Sequence, residues 1–370
     1  MGRGESMRKN GDLISSTQLM FLMITSVGLI NHVLIIPVLL STAHRDAWIS
    51  VMMNIAIYPI WIYLIIYIRK RTQQKNIYEF MKSKFGKIIT FFLFFIICLH
   101  LFLLSTTTLI ATIRWTILTF LPETPMFMLT ITFILLCFFT VITSLRTITN
   151  MNIILLPIVI ALGFFVSFSN TQYKDYSLLT PILEHGLEPV FIGMMISGSG
   201  LIELFIIIFL QHKVHSKIKL FPVILTGLSL VILTLGPLIG AITIFGPEEA
   251  EKMRAPAFEQ WRMVTLGRFV EHVDFLSIYQ WLAGAFIRIS LFMYIIPEMI
   301  NIKRQKNKVW ITLILFTLMI ILVQLPTSDT FLAGLLYGFF IPYSFWFMFT
   351  ISILVGFLIF VQNKVKQKKK

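Results

Sequence analysis

The stretch KIKLFPVILTGLSLVILTLGPLIGAITIFGPEE, residues 217–249, decides the class of fold. Lys217 and Lys219 stand at one end, Glu248 and Glu249 at the other, and Leu220–Phe245 between them carries no charge. As an α-helix this run is long enough for a hydrocarbon core of roughly 30 Å, which needs about 20 apolar residues. It is apolar all round, so it has no polar face to turn toward water. The reading is a transmembrane helix with its basic end on one side of a membrane and its acidic end on the other.

Working outward, the same pattern recurs along the chain. Ten candidate helices are predicted: Thr17–Leu40, Ala47–Ile68, Ile88–Leu118, Pro125–Leu145, Asn152–Phe168, Leu187–Leu210, Leu220–Phe245, Phe275–Ile296, Val309–Leu325 and Phe339–Phe360. Composition agrees, with 57% hydrophobic and 13% charged residues and a mean hydropathy of +0.86. Alternating apolar and polar residues, the mark of a membrane barrel, are absent. The longest interruption, Gly246–Asp274, is too short for an independent core. The expectation is an all-α integral membrane protein, a single membrane domain over residues 1–370.

The net charge of +14 does not point to nucleic acid, because the basic residues are segregated. With an even number of spans both termini share a side. That side holds 23 of the 31 Lys and Arg residues, including Arg69–Arg71, the lysines from Lys75 to Lys87, Lys213, Lys217, Lys219, Lys303–Lys308 and the tail Lys364–Lys370. The opposite side holds most acids, Glu248, Glu249, Glu251, Glu259, Glu271 and Asp274 among them. Positive loops mark the cytoplasmic face, so both termini are expected there, the tail against anionic membrane lipids. The first helix lacks a cleavage site after it and reads as a retained span. Cys98 and Cys137 fall inside helices and read as small apolar fillers.

Two loops carry structure of their own. In Ile77–Phe85 the apolar residues Ile77, Phe80, Met81 and Phe85 recur at helical spacing among lysines, the signature of an interfacial helix. On the acidic side, Gly246-Pro247-Glu248 resembles a helix start. Met263, Leu266, Val270 and Val273 then share a face, and Arg268 and Glu271 are spaced to pair. This loop, 246–274, is expected to be a structured lid.

Two spans are interrupted. Gly28-Leu29-Ile30-Asn31-His32 breaks the first, and Ser197-Gly198-Ser199-Gly200 breaks the sixth, followed by Glu203. Both fall in the first helix of a five-span half. Halves of five spans have opposite orientation, so the pattern predicts a five-plus-five inverted repeat, residues 13–168 and 187–362. Its ligand site would lie between broken helices one and six, with the backbone unwound at both breaks. The competing reading is that these glycines only permit close helix packing.

Few polar groups lie within the spans. Glu203 can bind a cation, a substrate amine or a proton, or pair structurally with Arg288. Arg288 and Arg114 can instead snorkel to an interface. His32 and His100 are more often packing than ligands. The hydroxyls Ser105–Thr108 bond their own backbone by default. The candidate ligand-binding set is Gly28, Asn31, His32, Thr106, Ser197, Gly198, Ser199, Gly200, Glu203, Ser290 and Tyr294. No catalytic motif, metal spacing or cofactor fingerprint stands out, and none of these is expected.

The order Ile14-Ser15, Gln18-Leu19, Gly28, Pro37 and Asp46-Ala47-Trp48-Ile49-Ser50 resembles the opening of the bacterial endospore germination permeases. The later segment Phe258, Arg268-Phe269-Val270-Glu271, Phe275, Trp281 and Phe286–Leu291 resembles the same family's passage into helix eight. These are the B subunits of germinant receptors, distant relatives of the amino acid–polyamine–organocation transporters. The resemblance covers essentially the whole chain. It implies residence in the spore inner membrane, partnership with germinant receptor A and C subunits, and binding of a small germinant, an amino acid or nucleoside, that triggers germination. Two rival readings share the pattern of spans: an ion- or proton-coupled amino-acid transporter, and a membrane acyltransferase with His32 as base.

Overall fold

The computed structural model describes residues 12–265, 273–302, 304–328, 330–331 and 334–368. Helix α1 consists of Ser16–Leu29, a π-helical turn Ile30–Leu34, and Ile35–Ala43. Its start is fixed by a capping box. The Ser15 hydroxyl accepts from the Gln18 amide, and the Gln18 side chain accepts from the Ser15 amide. His44, at φ +51°, ends the helix, and α2 (Ala47–Thr72) begins after one 3₁₀ turn.

Asn76 caps α3 (Ile77–Phe85), the interfacial helix, which buries Ile77, Tyr78 and Met81 and keeps Lys82 on its open side. Gly86, at φ +83°, turns the chain directly into α4 (Lys87–Thr119). Then follow α5 (Met126–Thr143), α6 (Leu145–Ser169) and the sixth span, α7. That span consists of Leu187–Ile202, a 3₁₀ turn Glu203–Ile206, and Ile207–Leu210. The chain continues through α8 (Leu220–Phe245), the short lid helices α9 (Pro247–Lys252) and α10 (Pro256–Arg262), α11 (Phe275–Met299) and α12 (Gln305–Val323). Last comes α13 (Ile341–Lys368), entered through a π-helical turn Gly334–Phe340.

Nine stretches among the described residues are long and apolar enough to cross a membrane. The first, Ser16–Thr72, is 57 residues long and is divided by the turn at His44, so it holds the first two predicted spans. The protein is an all-α, multi-pass membrane protein. The predicted ends move by a few residues. The largest changes are at α6, which begins at Leu145 because Ser144 caps it, and at the end of α13, which runs on to Lys368.

Burial sorts the helices. Within its most apolar window, 89% of α11 is buried, against 17% for α6, so α11 is a central element and α6 lies at the rim. Phe92 and Phe95 of α4, Ile154 and Phe164 of α6 and Ile321 of α12 point outward, as lipid-facing side chains do. The lid is built as expected at its start, with Pro247 and Pro256 opening the two short helices. Trp261, Val264 and Val273 form a small core with Val166 of α6. Leu266, Val270 and the Arg268–Glu271 pairing lie outside the described residues. Beside the lid, the Ser177 hydroxyl and amide both donate to Asp175 and hold its carboxyl below the usual carboxylate range.

Candidate ligand pocket

The backbone is helical through both predicted breaks, which corrects the expectation of unwinding. What changes is the winding, within the first predicted break and just after the second. In α1 the π turn begins at Ile30, and in α7 the 3₁₀ turn begins at Glu203. The glycines before them are contact points between helices. A Cβ on Gly200 would lie 1.6 Å from the Asn31 Oδ1, so α7 rests directly on the α1 π turn there. A Cβ on Gly28 would press on Leu233 at 2.8 Å, and one on Gly198 on Phe345 at 3.1 Å. Close packing, the competing reading of these glycines, is what the geometry favours.

The polar residues of the first break turn toward α8. Asn31 donates to the Thr234 hydroxyl at 3.0 Å, and the His32 Nδ1 lies 3.3 Å from the Leu233 carbonyl. Ser197 accepts from Asn54 of α2 at 2.7 Å. These bonds tie α1 to α8 and α7 to α2, and they satisfy polar groups that lipid could not.

Glu203 and Arg288 form a buried ion pair. Nη1 donates to Oε2 at 2.7 Å and Nη2 to Oε1 at 2.9 Å, the bidentate geometry that suits guanidinium and carboxylate. The guanidinium also donates to the Ser26 carbonyl and the Thr108 hydroxyl, and it stacks over Phe292 at 4.5 Å. One cation thus joins α1, α4, α7 and α11. Arg288 does not snorkel. Arg114, nearer the acidic side, donates to the Thr327 carbonyl and hydroxyl.

A pocket opens on the other side of Glu203. Its walls are Ile30 and Leu34 of α1, Leu104, Thr107, Thr108 and Ala111 of α4, Ser199 and Glu203 of α7, and Phe340, Ile341 and Ser344 from the entry to α13. Three irregular turns meet here: Ile30 and Leu34 end one π turn, Phe340 ends another, and Glu203 starts a 3₁₀ turn. Such turns leave backbone groups outside the regular ladder and recur at functional sites. Ser344 bonds the buried His100 ring at 3.2 Å, and Phe340 and Phe347 pack on that ring. The cavity is about 30 Å³, room for one or two waters. One turn above Ala111, Trp115 stacks on Trp281 at 4.1 Å, and Phe258 of α10 packs edge-on against Trp115. The site is closed toward the lid.

Of the predicted set, Ser199 and Glu203 line the pocket. Thr106 bonds the Phe102 carbonyl in its own helix, while its neighbours Thr107 and Thr108 reach the wall. Gly28, Asn31, His32, Ser197, Gly198 and Gly200 lie in helix contacts around it. Ser290 is buried with its hydroxyl toward Cys137. Tyr294 belongs elsewhere: its hydroxyl donates to Asp12 at 2.6 Å, at the basic end of α11. Sequence reasoning missed Ser344, Phe340 and Ile341, because the last span carries no charge or glycine pair to mark that stretch. It also missed Asp12 and Glu298. Their signal was available, since they are among the few acids on the basic side.

Comparison with known proteins adds the family. The profile described as "Spore germination protein" matches residues 13–332. The chain is 42% identical over 355 residues to Spore germination protein XB of Bacillus anthracis, covering 96% of this chain and 100% of that one. It is 27% identical to the Putative spore germination protein YfkT of Bacillus subtilis (strain 168), over 70% of this chain and 72% of that one. To Spore germination protein A2 of the same organism it is 22% identical, over 67% and 69%. Ten passages of apolar helix and these matches together assign the chain: it belongs to the spore germination protein family.

Proposed function

We propose that this protein is the membrane subunit of a germinant receptor, and that its germinant, an amino acid or nucleoside, binds in the pocket between α1, α4, α7 and α13. The observation that carries the reading is the meeting of three irregular turns on one cavity, whose exposed lining is mainly apolar, with Glu203 and four hydroxyl residues among its walls. Ser199, Thr107, Thr108 and Ser344 carry hydroxyls at its walls, each bonded within the protein, and Glu203 carries a carboxylate whose charge Arg288 balances. Ligand pockets run to roughly 300–1,000 Å³, so the cavity must widen to accept a germinant. Binding would favour that wider state over the closed one, the differential affinity needed to shift a conformational equilibrium. The α9–α10 lid and the Trp115–Trp281 stack lie on the approach from the acidic side. The two halves, 13–168 and 187–362, would move about this site as an inverted repeat. The basic face would be cytoplasmic, the membrane that of the spore interior, and the partners the A and C subunits of the receptor. Membership of a germination family gives the acyltransferase reading no support.

Germination of spores carrying Ser199→Ala or Thr107→Val tests the pocket. The stimulus is a defined mixture of the standard amino acids and nucleosides. Losing one polar contact should raise the half-maximal concentration about tenfold at unchanged protein level. An unaltered dose curve for both variants sinks the pocket assignment. Orientation has its own test: an impermeant thiol reagent on intact cells should modify Glu249→Cys and spare Lys219→Cys. The reverse pattern rejects the placement.

A further inference from the structure

At the basic end of α11 lies a second charged cluster that the pocket does not use. Asp12 precedes α1. Its Oδ2 accepts from the Tyr294 hydroxyl and pairs with Lys213, and its Oδ1 accepts from the Leu145 amide at 2.8 Å. Lys213 also reaches Glu298 at 3.2 Å. Glu298 in turn pairs with Lys308, and His212 lies 3.8 Å away. The chain after Asp12 is stitched down by backbone. The Ile14 amide donates to the Lys213 carbonyl at 3.0 Å, and the His215 amide donates to the Ile14 carbonyl at 3.1 Å. The Ser16 amide donates to the Ser216 hydroxyl at 2.8 Å. Ile14 itself is fully buried.

One carboxylate therefore pins the entry of α1 to the start of α6, the end of the sixth span and the end of α11. The pairing is asymmetric. If Asp12 leaves, Lys213 keeps Glu298, and Glu298 keeps Lys308 and His212. No charge is stranded in an apolar place. A cavity of about 40 Å³, lined by Asp12, Ser144, Tyr294, Glu298 and Lys308, has room for about two waters beside the groups that separate. The bonds that hold Ile14 are two backbone pairs at an isolated bridge, weaker than a strand ladder.

We propose that residues 12–16 form a releasable strap, latched by Asp12 to Lys213 and Tyr294, whose detachment opens the basic face when the protein changes state. The inference rests on the reading that this chain switches state in response to a germinant.

The test uses the full-length protein in spore membranes. Ile14→Cys is the reporter, and the parent with its two buried cysteines is the blank. Asp12→Asn should raise thiol labelling of Ile14→Cys about tenfold, within the usual range of coupling between states. It should lower the half-maximal dose of the amino-acid and nucleoside mixture by a similar factor. Ala250→Cys, buried at the lid, must stay unlabelled, so that unfolding is not mistaken for release. Ile14 and Val214 face each other across the bridge, close enough for a disulfide. The double variant Ile14→Cys, Val214→Cys, once oxidised, should abolish the spore response, and a reductant should restore it. Unchanged Ile14→Cys labelling in Asp12→Asn, or normal germination of the oxidised double variant, overturns the strap. If Asp12→Asn also exposes Ala250→Cys, the cross-link decides. Pocket variants that leave the dose curve unmoved would remove the pocket and leave these readouts standing, because neither passes through it.

Discussion

Helix α11 carries two charged clusters that differ in one respect, the presence of spare partners. At mid-helix, Glu203 is the only anionic partner of Arg288 among the described residues, and the pair is wholly buried. At the basic end, Glu298 has two lysine partners, Lys213 and Lys308, with His212 3.8 Å away, and each side chain keeps some exposure. The first arrangement cannot lose a member without leaving a bare charge in a medium that charges avoid. The second can exchange members. A fixed pivot and a movable contact thus sit on one helix, which is what a state-changing membrane protein requires.

The largest expected effect breaks the fixed cluster. Glu203→Gln leaves Arg288 buried and unpaired, a loss of about 3–5 kcal/mol. The protein should fail to accumulate in membranes. Glu203→Gln with Arg288→Met removes both charges and should restore accumulation, though not the germinant response. Membrane immunoblots decide. Full accumulation of Glu203→Gln alone would mean that the pair is dispensable and that the contrast between the clusters is false.

The next effect is steric. Gly200→Val would drive a side chain into Asn31, at a cost of roughly 1–3 kcal/mol or more for overpacking. Adding Asn31→Ala should recover much of the lost melting temperature of the purified protein. If Gly200→Val melts normally and loses only the germinant response, the glycine serves ligand approach rather than packing.

The membrane class and the order of spans were legible in the sequence, because charge and hydropathy alone set them. The sidedness of the lysines also located the basic-face elements that the structure brings together. The site was legible only in part. Glu203 announced itself as an acid in an apolar run, and Ser199 came with it. Asn31 and His32 bond α8 and do not line the pocket: a polar residue in a span can satisfy a neighbouring helix as well as a ligand, and spacing does not say which. Unwinding was over-predicted for a related reason. A glycine lowers the cost of both a break and a close contact, and only the neighbour's side chain decides between them. Ser344 and Phe340 were invisible, since they reach the pocket through a π turn that no residue pattern marks.

The smallest effect probes the movable cluster. Lys308→Gln removes one of the two lysines around Glu298, a residue that lines a cavity of about 40 Å³. Lys213 remains to balance the carboxylate, and Gln can still donate a hydrogen bond to it. Partly solvated pairs of this kind are worth about 0–1 kcal/mol. The melting temperature should therefore fall only slightly. The loss should also shrink as salt rises, since ions screen groups that solvent reaches and leave the mid-helix pair untouched. Melting curves of parent, Lys308→Gln and Glu203→Gln with Arg288→Met, each at low and high salt, measure the difference. A Lys308→Gln loss that is large and indifferent to salt would show that Glu298 is as sealed as Glu203. The basic end of α11 would then be a second fixed pivot, and Asp12 could not detach from it at low cost.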